Sequence, residues 1–443
     1  MFDTLIEGGQ VATATGLVAA GLGLRDGRIA AVLAPGEAAT ARSVVSARGL
    51  VVLPGLVDAH VHFRDPGLTH KEDFSSGTAA AALGGVTTAL VMPTDLPPTL
   101  SVEDVAAKRA IAEGRLHIDI GLQALAAESR HVAALAACGV VSIEVFLGDM
   151  PAALMPRDAA MLADIMLGAR QAGIVLGINS ADDTVIAVAE ARLRRPGGDP
   201  LDFFHSRPAA SEAQGTARAL TASAGAALHI RQVSCCESLA LVRTAREAGQ
   251  DVTAETTPHY LLLDETEIQR QGPFAKILPP LRQAADRAAL WAALRDGTLD
   301  MVATDHAPHT LAEKQPGIAD IWAAPGGFPG VQTLLPLMLD AVARGDINWA
   351  DLVRLCCEAP ARRFGLWPSK GQLAPGADAD LVLVDPARPG EIRNADQLSR
   401  AGRTPFDGWR TTGWPVETWL RGVRIARDGR VLDGLPGRVL ARR

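Results

Sequence analysis

Between residues 55 and 305 the chain switches repeatedly between two textures. Eight apolar runs stand out: GLVDAHVH (55–62), VTTALVM (86–92), HIDIGLQAL (117–125), VVSIEVFL (140–147), IVLGIN (174–179), ALHIRQVS (227–234), DVTAE (251–255) and LDMVATD (299–305). Strands buried on both faces of a parallel sheet read as such near-continuous runs. Between them lie Ala- and Leu-rich stretches that predict helices. SVEDVAAKRAIAEG (101–114) opens on Ser101 and Asp104, a capping pattern, and ends at Gly114. SEAQGTARALTASAG (211–225) and CESLALVRTAREAG (236–249) also end at glycine. Eight strand–helix units predict an α/β chain folded as a (β/α)8 TIM barrel. A doubly wound open sheet is the alternative, but eight units without a Gly-rich phosphate loop speak against it.

The two ends differ from this middle. Residues 1–53 alternate in short segments around Gly and Asp, and strand-like texture returns near residue 370 in KGQLAPGADADLVLVDP and TWLRGVRIARDGRVL. Neither end makes a full sandwich by itself. The expected organisation is therefore a composite β-sandwich domain from 1–53 and 370–443, set against a barrel domain spanning 54–369.

Composition narrows the function. The chain has 443 residues, of which 48% are hydrophobic and 21% charged, so it is an ordinary globular protein and not a disordered one. A formal charge of -7 gives no cationic field for nucleic acid and no polybasic membrane patch. No apolar run approaches the roughly 18 residues of a membrane span. The first residues, MFDTLIEGG, carry acids where a signal peptide needs Lys or Arg. Five cysteines, two pairs of them adjacent (Cys235-Cys236 and Cys356-Cys357), make no disulfide framework, and a reducing cytoplasm is expected.

Two motifs carry chemistry. In Asp58-Ala-His60-Val-His62-Phe-Arg64-Asp65-Pro66-Gly67, His60 and His62 are two apart on a strand and so share a face. At the C-terminal end of a first barrel strand they would project into the mouth, where two imidazoles suit a divalent metal. In Ala303-Thr304-Asp305-His306-Ala307-Pro308-His309, Asp305 closes the eighth run beside them. A carboxylate there can bind metal and accept a proton from an attacking water.

PGLVDAHVHFRDPG, MPTDLPPT (92–99), TPHYL (257–261), PPLR (279–282), ATDHAPHT (303–310) and KGQLAPGADADLVLVD (370–385) together resemble the cyclic amidohydrolases, the group of dihydroorotase, allantoinase and hydantoinase. TDHAPH and HFRDPG lean toward dihydroorotase; MPTDLPPT and IWAAPGGFPGVQ (321–332) lean toward allantoinase. The resemblance runs from near residue 1 to near 425. It implies a metal-dependent barrel of the amidohydrolase type with a composite β-sandwich. It also implies hydrolysis of a ring amide and a homo-oligomer, dimer or tetramer.

Three of the six metal-ligand positions that the resemblance implies are altered. His60, His62 and Asp305 are present. The strand-four position, usually a carboxylated lysine bridging two ions, is Glu144. The strand-five and strand-six histidine positions are Asn179 and Gln232, and His229 is expected on the opposite face from Gln232. All three changes fall on the second metal, since neutral amides replace imidazoles poorly toward zinc. One divalent ion, zinc by preference, is expected on His60, His62, Glu144 and Asp305. An ion pair of Glu144 with Arg64 or Arg231 is the alternative. For substrate, Arg64 and His309 match dihydroorotase carboxylate binders, while two expected Asn positions are Thr94 and Leu278. That argues for a small, anionic cyclic amide other than dihydroorotate. Asp305 is the expected catalytic base. Two other readings stay open: an inactive structural subunit, as some dihydroorotase-like proteins are, and metal-free hydrolysis with Asp305 as base and Arg64 and His309 as electrophiles.

Overall fold

A computed structural model describes residues 1–442. Each of the eight apolar runs contains a strand: Leu56–Val61, Val86–Val91, Asp119–Leu125, Ser142–Phe146, Leu176–Asn179, Leu228–Ile230, Val252–Thr256 and Met301–Val302. They pair in chain order, each parallel to the next. A parallel bridge between Val61 and His306, with the His62 N–H donating to the His306 carbonyl at 2.7 Å, brings the eighth strand back to the first. The result is a (β/α)8 barrel.

The sixth and eighth strands are shorter than their runs. Gln232 (φ 53°) and Asp305 (φ 45°) turn the chain into the left-handed region just beyond them, which breaks the ladder and re-aims the side chains. With Arg64 (φ 60°) and Asp149 (φ 55°), four of the eight positive-φ non-glycine residues among the described ones cluster at this end of the barrel. Such strain concentrates at functional sites.

The helices follow the expected signals. Val102–Ala112 is capped by Ser101, whose side chain accepts from the Asp104 N–H, with Asp104 reaching back to the Ser101 N–H. Ala209–Ala222 starts two residues before the predicted segment, directly after Pro208, and Cys236–Glu247 matches its segment. No helix among the described residues is long and apolar enough to cross a membrane.

The chain ends build two further sheets. One holds Phe2–Glu7, Gly21–Arg25, Arg28–Leu33 and Ala41–Ser46. The other joins Gln10–Thr13, Gly16–Ala19 and Val51–Pro54 to Leu381–Glu391, Arg410–Leu420, Val423–Arg427 and Arg430–Val431. The seam is Val51–Pro54 running antiparallel to Leu381–Val384. Ile6, Leu22, Leu24, Val52, Leu381 and Trp419 form the core of this sandwich. One segment departs from it. Val439–Leu440 leaves the sandwich and pairs in parallel with the third barrel strand. The buried Asp119 carboxylate explains this, since it accepts from the Arg438 N–H at 2.9 Å and pairs with Lys370 and Arg421.

Candidate active site

His60 and His62 leave the first strand on one face, as their spacing predicts. Asp305 meets both: its Oδ1 lies 3.3 Å from His60 Nε2 and 3.2 Å from His62 Nε2. The three side chains offer ligand atoms within 4.8 Å of one another. Asp58 ties the strands beneath them, accepting from the Thr304 N–H at 3.0 Å and from its hydroxyl at 2.5 Å. On the other side of Asp305, the Gln232 carboxamide donates to Oδ2 at 2.6 Å and to the Leu278 carbonyl at 3.2 Å. His62 Nδ1 lies 2.7 Å from the Thr94 hydroxyl.

Glu144 does not join this group, and the structure corrects its expected role as a ligand. Its carboxylate is bound by the Arg231 guanidinium, with Nη2 to Oε1 at 2.7 Å and Nε to Oε2 at 3.1 Å, and lies 2.8 Å from the Ser142 hydroxyl. All of these atoms are buried below the mouth. Gly177 on the neighbouring strand makes the room, because a Cβ there would lie 2.1 Å from Glu144 Oε2. Arg231 also donates to Glu255 Oε2 at 3.0 Å and to the Ala59 carbonyl at 2.9 Å.

His229 is a second correction. It does not face away from Gln232; its Nε2 lies 2.9 Å from Glu255 Oε2. Alternation holds from His229 to Arg231, both inward, and the positive φ at Gln232 then turns that residue inward as well. Glu255 was missed entirely by sequence reasoning. The available signal was an acid ending the otherwise uncharged stretch VTAE at the seventh strand.

Burial works against the Asp305 carboxyl, but His60 and the hydrogen bond from His62 outweigh it and hold it below the usual carboxylate range. Burial pushes His62 down to about 3, so it is a neutral imidazole able to act as a ligand. Burial also opposes a proton on His60, yet Asp305 and Glu255 on its two sides raise its affinity above the ordinary value. A divalent ion competes with that proton. Two imidazoles and one carboxylate are a donor set that fits a single zinc ion with an open position. Glu144, held by Arg231, adds nothing to a second site.

His60, His62 and Asp305 open onto a cavity of about 300 Å³. Arg64, Thr94, Asn179, Gln232, Leu278 and His309 also line it, so the sequence-selected residues other than Glu144 come together here. The nearby acids leave Arg64 to the cavity: Asp65 pairs with Arg115, and Glu72 binds the Ser76 hydroxyl. The Arg64 Nη2 lies 3.3 Å from His309 Nε2, and Lys71 Nζ lies 3.2 Å from His309 Nδ1. Burial, Arg64 and Lys71 push the His309 imidazole far below its usual range. A neutral imidazole accepts at one nitrogen only, while both neighbours are obligate donors. One of the two contacts therefore sets donor against donor; Glu313 balances Lys71 at 2.8 Å, and Arg64 brings the guanidinium that faces the cavity.

The amidohydrolase family model matches residues 51–142 and 210–425. The chain is 32% identical to an L-hydantoinase of Paenarthrobacter aurescens, covering 98% of this chain and 96% of that one. It is 37% identical to an allantoinase of Rubrobacter xylanophilus (99% and 97% covered) and 35% identical to a dihydroorotase of Methanothermobacter thermautotrophicus (98% and 96%). Among solved structures, the L-hydantoinase (dihydropyrimidinase) of Arthrobacter aurescens superposes with a TM-score of 0.96 at 31% identity, covering 100% of both chains.

Proposed function

The chain belongs to the amidohydrolase family, and from that premise we propose that it opens a small, anionic cyclic amide by hydrolysis at the barrel mouth, with one zinc ion on His60, His62 and Asp305. The observation that carries this reading is the convergence of those three donors on a cavity of about 300 Å³. Relatives named L-hydantoinase, allantoinase and dihydroorotase support the ring-amide substrate class.

The bound ion supplies Lewis-acid charge that acidifies water and polarises a carbonyl. The chain's own residues do the rest. Gln232 pins one oxygen of Asp305 and leaves the carboxylate aimed between His60 and His62. Asp305, kept ionised, accepts the proton of the attacking water and returns it to the leaving nitrogen. Arg64, with His309 and Lys71 behind it, receives a negative group of the substrate through charge-assisted hydrogen bonds. Leu278 brings an apolar side chain to the same wall, and the Thr94 hydroxyl is engaged by His62.

The test is elemental analysis of the purified protein beside a panel of hydantoins, ureido-substituted rings and dihydropyrimidines, with and without a chelator. Ring opening that the chelator removes and zinc restores is expected. A full panel without turnover, on protein that holds no metal, favours the inactive-subunit reading.

Two outcomes follow from particular residues. After dialysis the protein should hold at most one divalent ion per chain, because Asn179 and Gln232 are neutral amides and Glu144 is paired with Arg231. Two ions at full occupancy overturn the single-metal assignment. Dihydroorotate should turn over below the usual enzyme range of ~1–10³ s⁻¹, since Thr94 and Leu278 offer its carboxylate no free amide. A kcat within that range contradicts this reading of the wall.

A further inference from the structure

Beneath the site lies a buried, charged layer for which the proposed chemistry has no use. Arg231, Glu144, Glu255, His229 and Gln123 fill the barrel interior, all buried. Glu255 connects this layer to the site. Its Oε1 lies 2.6 Å from His60 Nδ1, and its Oε2 takes both Arg231 Nη1 at 3.0 Å and His229 Nε2 at 2.9 Å. Arg231 is held in turn by the Ala59 carbonyl, next to His60 in the chain, and by Gln123 and Glu144.

We propose that Glu255 is a positioning residue for the metal-ligand pair: it accepts the Nδ1–H of His60, fixing the ring so that the Nε2 lone pair faces the cavity and Asp305, with Arg231 anchoring the carboxylate. The proposal rests on His60 being a zinc ligand.

The geometry supports it in three ways. An imidazole bonded at Nδ1 to a carboxylate keeps its proton there and leaves Nε2 as the ligand nitrogen, and it also becomes a stronger donor to metal. The opposite nitrogen of His60 does point to Asp305, 3.3 Å away. His62 turns the same nitrogen toward Asp305, with its Nδ1 2.7 Å from the Thr94 hydroxyl, a group that can donate or accept and so orients the ring without fixing its proton. The two ligands of the first strand thus present the same nitrogen to one point. Only Glu255, with both oxygens engaged and no solvent, does this with a charge. Arg231 explains why an anion is tolerated there: an isolated buried carboxylate would be costly, and a guanidinium with two carboxylates in reach offsets it.

The test measures zinc affinity by chelator competition on the parent protein, Glu255→Gln and Glu144→Gln. Outer partners of ligating histidines typically contribute about 10–100-fold to metal affinity. Glu255→Gln should therefore weaken zinc binding by that factor. Glu144→Gln removes a carboxylate that reaches His60 only through Arg231 and Glu255, and should weaken zinc binding clearly less than Glu255→Gln does. Both should lower the thermal midpoint, so stability alone does not separate them and affinity does. A folded Glu255→Gln protein with parental zinc affinity overturns the proposal, and so does an equal loss of affinity in the two variants. If Glu255→Gln fails to fold, imidazole ¹⁵N spectra of the zinc-loaded parent replace it. His60 should show a protonated Nδ1, and a protonated Nε2 overturns the assignment. A parent chain that takes no zinc brings down the metal reading of the site, and this inference with it.

Discussion

Replacing Asp305 is expected to abolish ring opening, lowering kcat at least ~10³-fold, which is within the 10²–10⁴-fold range of a lost general base before any weakening of metal binding is added. Among the described residues, this side chain is the only carboxylate that reaches both His60 and His62. Asparagine is the sharper variant. Asp305 sits at φ 45°, a region that Asn tolerates as Asp does, whereas Ala there adds backbone strain of its own. Asp305→Asn should thus lose activity with little loss of thermal midpoint. Asp305→Ala should lose activity and also melt somewhat earlier. The eighth strand should survive either change, because Asp58 on Thr304 and the His62–His306 backbone bond hold it independently. Steady-state kinetics beside thermal melts check this, and an Asp305→Asn protein within tenfold of parental kcat removes Asp305 from the mechanism.

Glu144→Gln carries the largest expected effect on stability. The Glu144–Arg231 pair has no solvent contact on either side, and breaking such a pair costs about 3–5 kcal/mol. The low end applies here, since Glu255 still partners Arg231 after the change. Zinc content should be unaltered. Denaturant melts and elemental analysis on this one variant decide the point: a stable protein that has lost its zinc would return Glu144 to the ligand set. Were Glu144 a ligand, the effects would be reversed.

The barrel was legible because burial on both faces leaves a mark on every strand, and the eight runs carry it. His60 and His62 were legible for a related reason, since a two-residue spacing on a strand fixes a shared face whatever surrounds it. Asp305 could be placed beside them because barrel closure makes the first and eighth strands neighbours. The helix start at Ser101 was equally local, a cap and its reciprocal partner three residues on.

What the chain alone determined, then, are the elements, their order and the donors presented by a single strand or by its end. Tertiary structure decided which partner each charged group takes. Glu144 could be written as a ligand or as an ion-pair partner from sequence. Only the inward projection of Arg231 from a strand 87 positions later gave its carboxylate to a guanidinium. His229 was misplaced because a period-two argument assumes extended backbone throughout, and a single positive φ at Gln232 breaks the count. Glu255 meets His60 across 195 residues of chain. Periodicity reports the face on which a side chain emerges. In a closed barrel every inward face shares one interior, so charge pairing across it depends on strand tilt and side-chain reach, which no local pattern records.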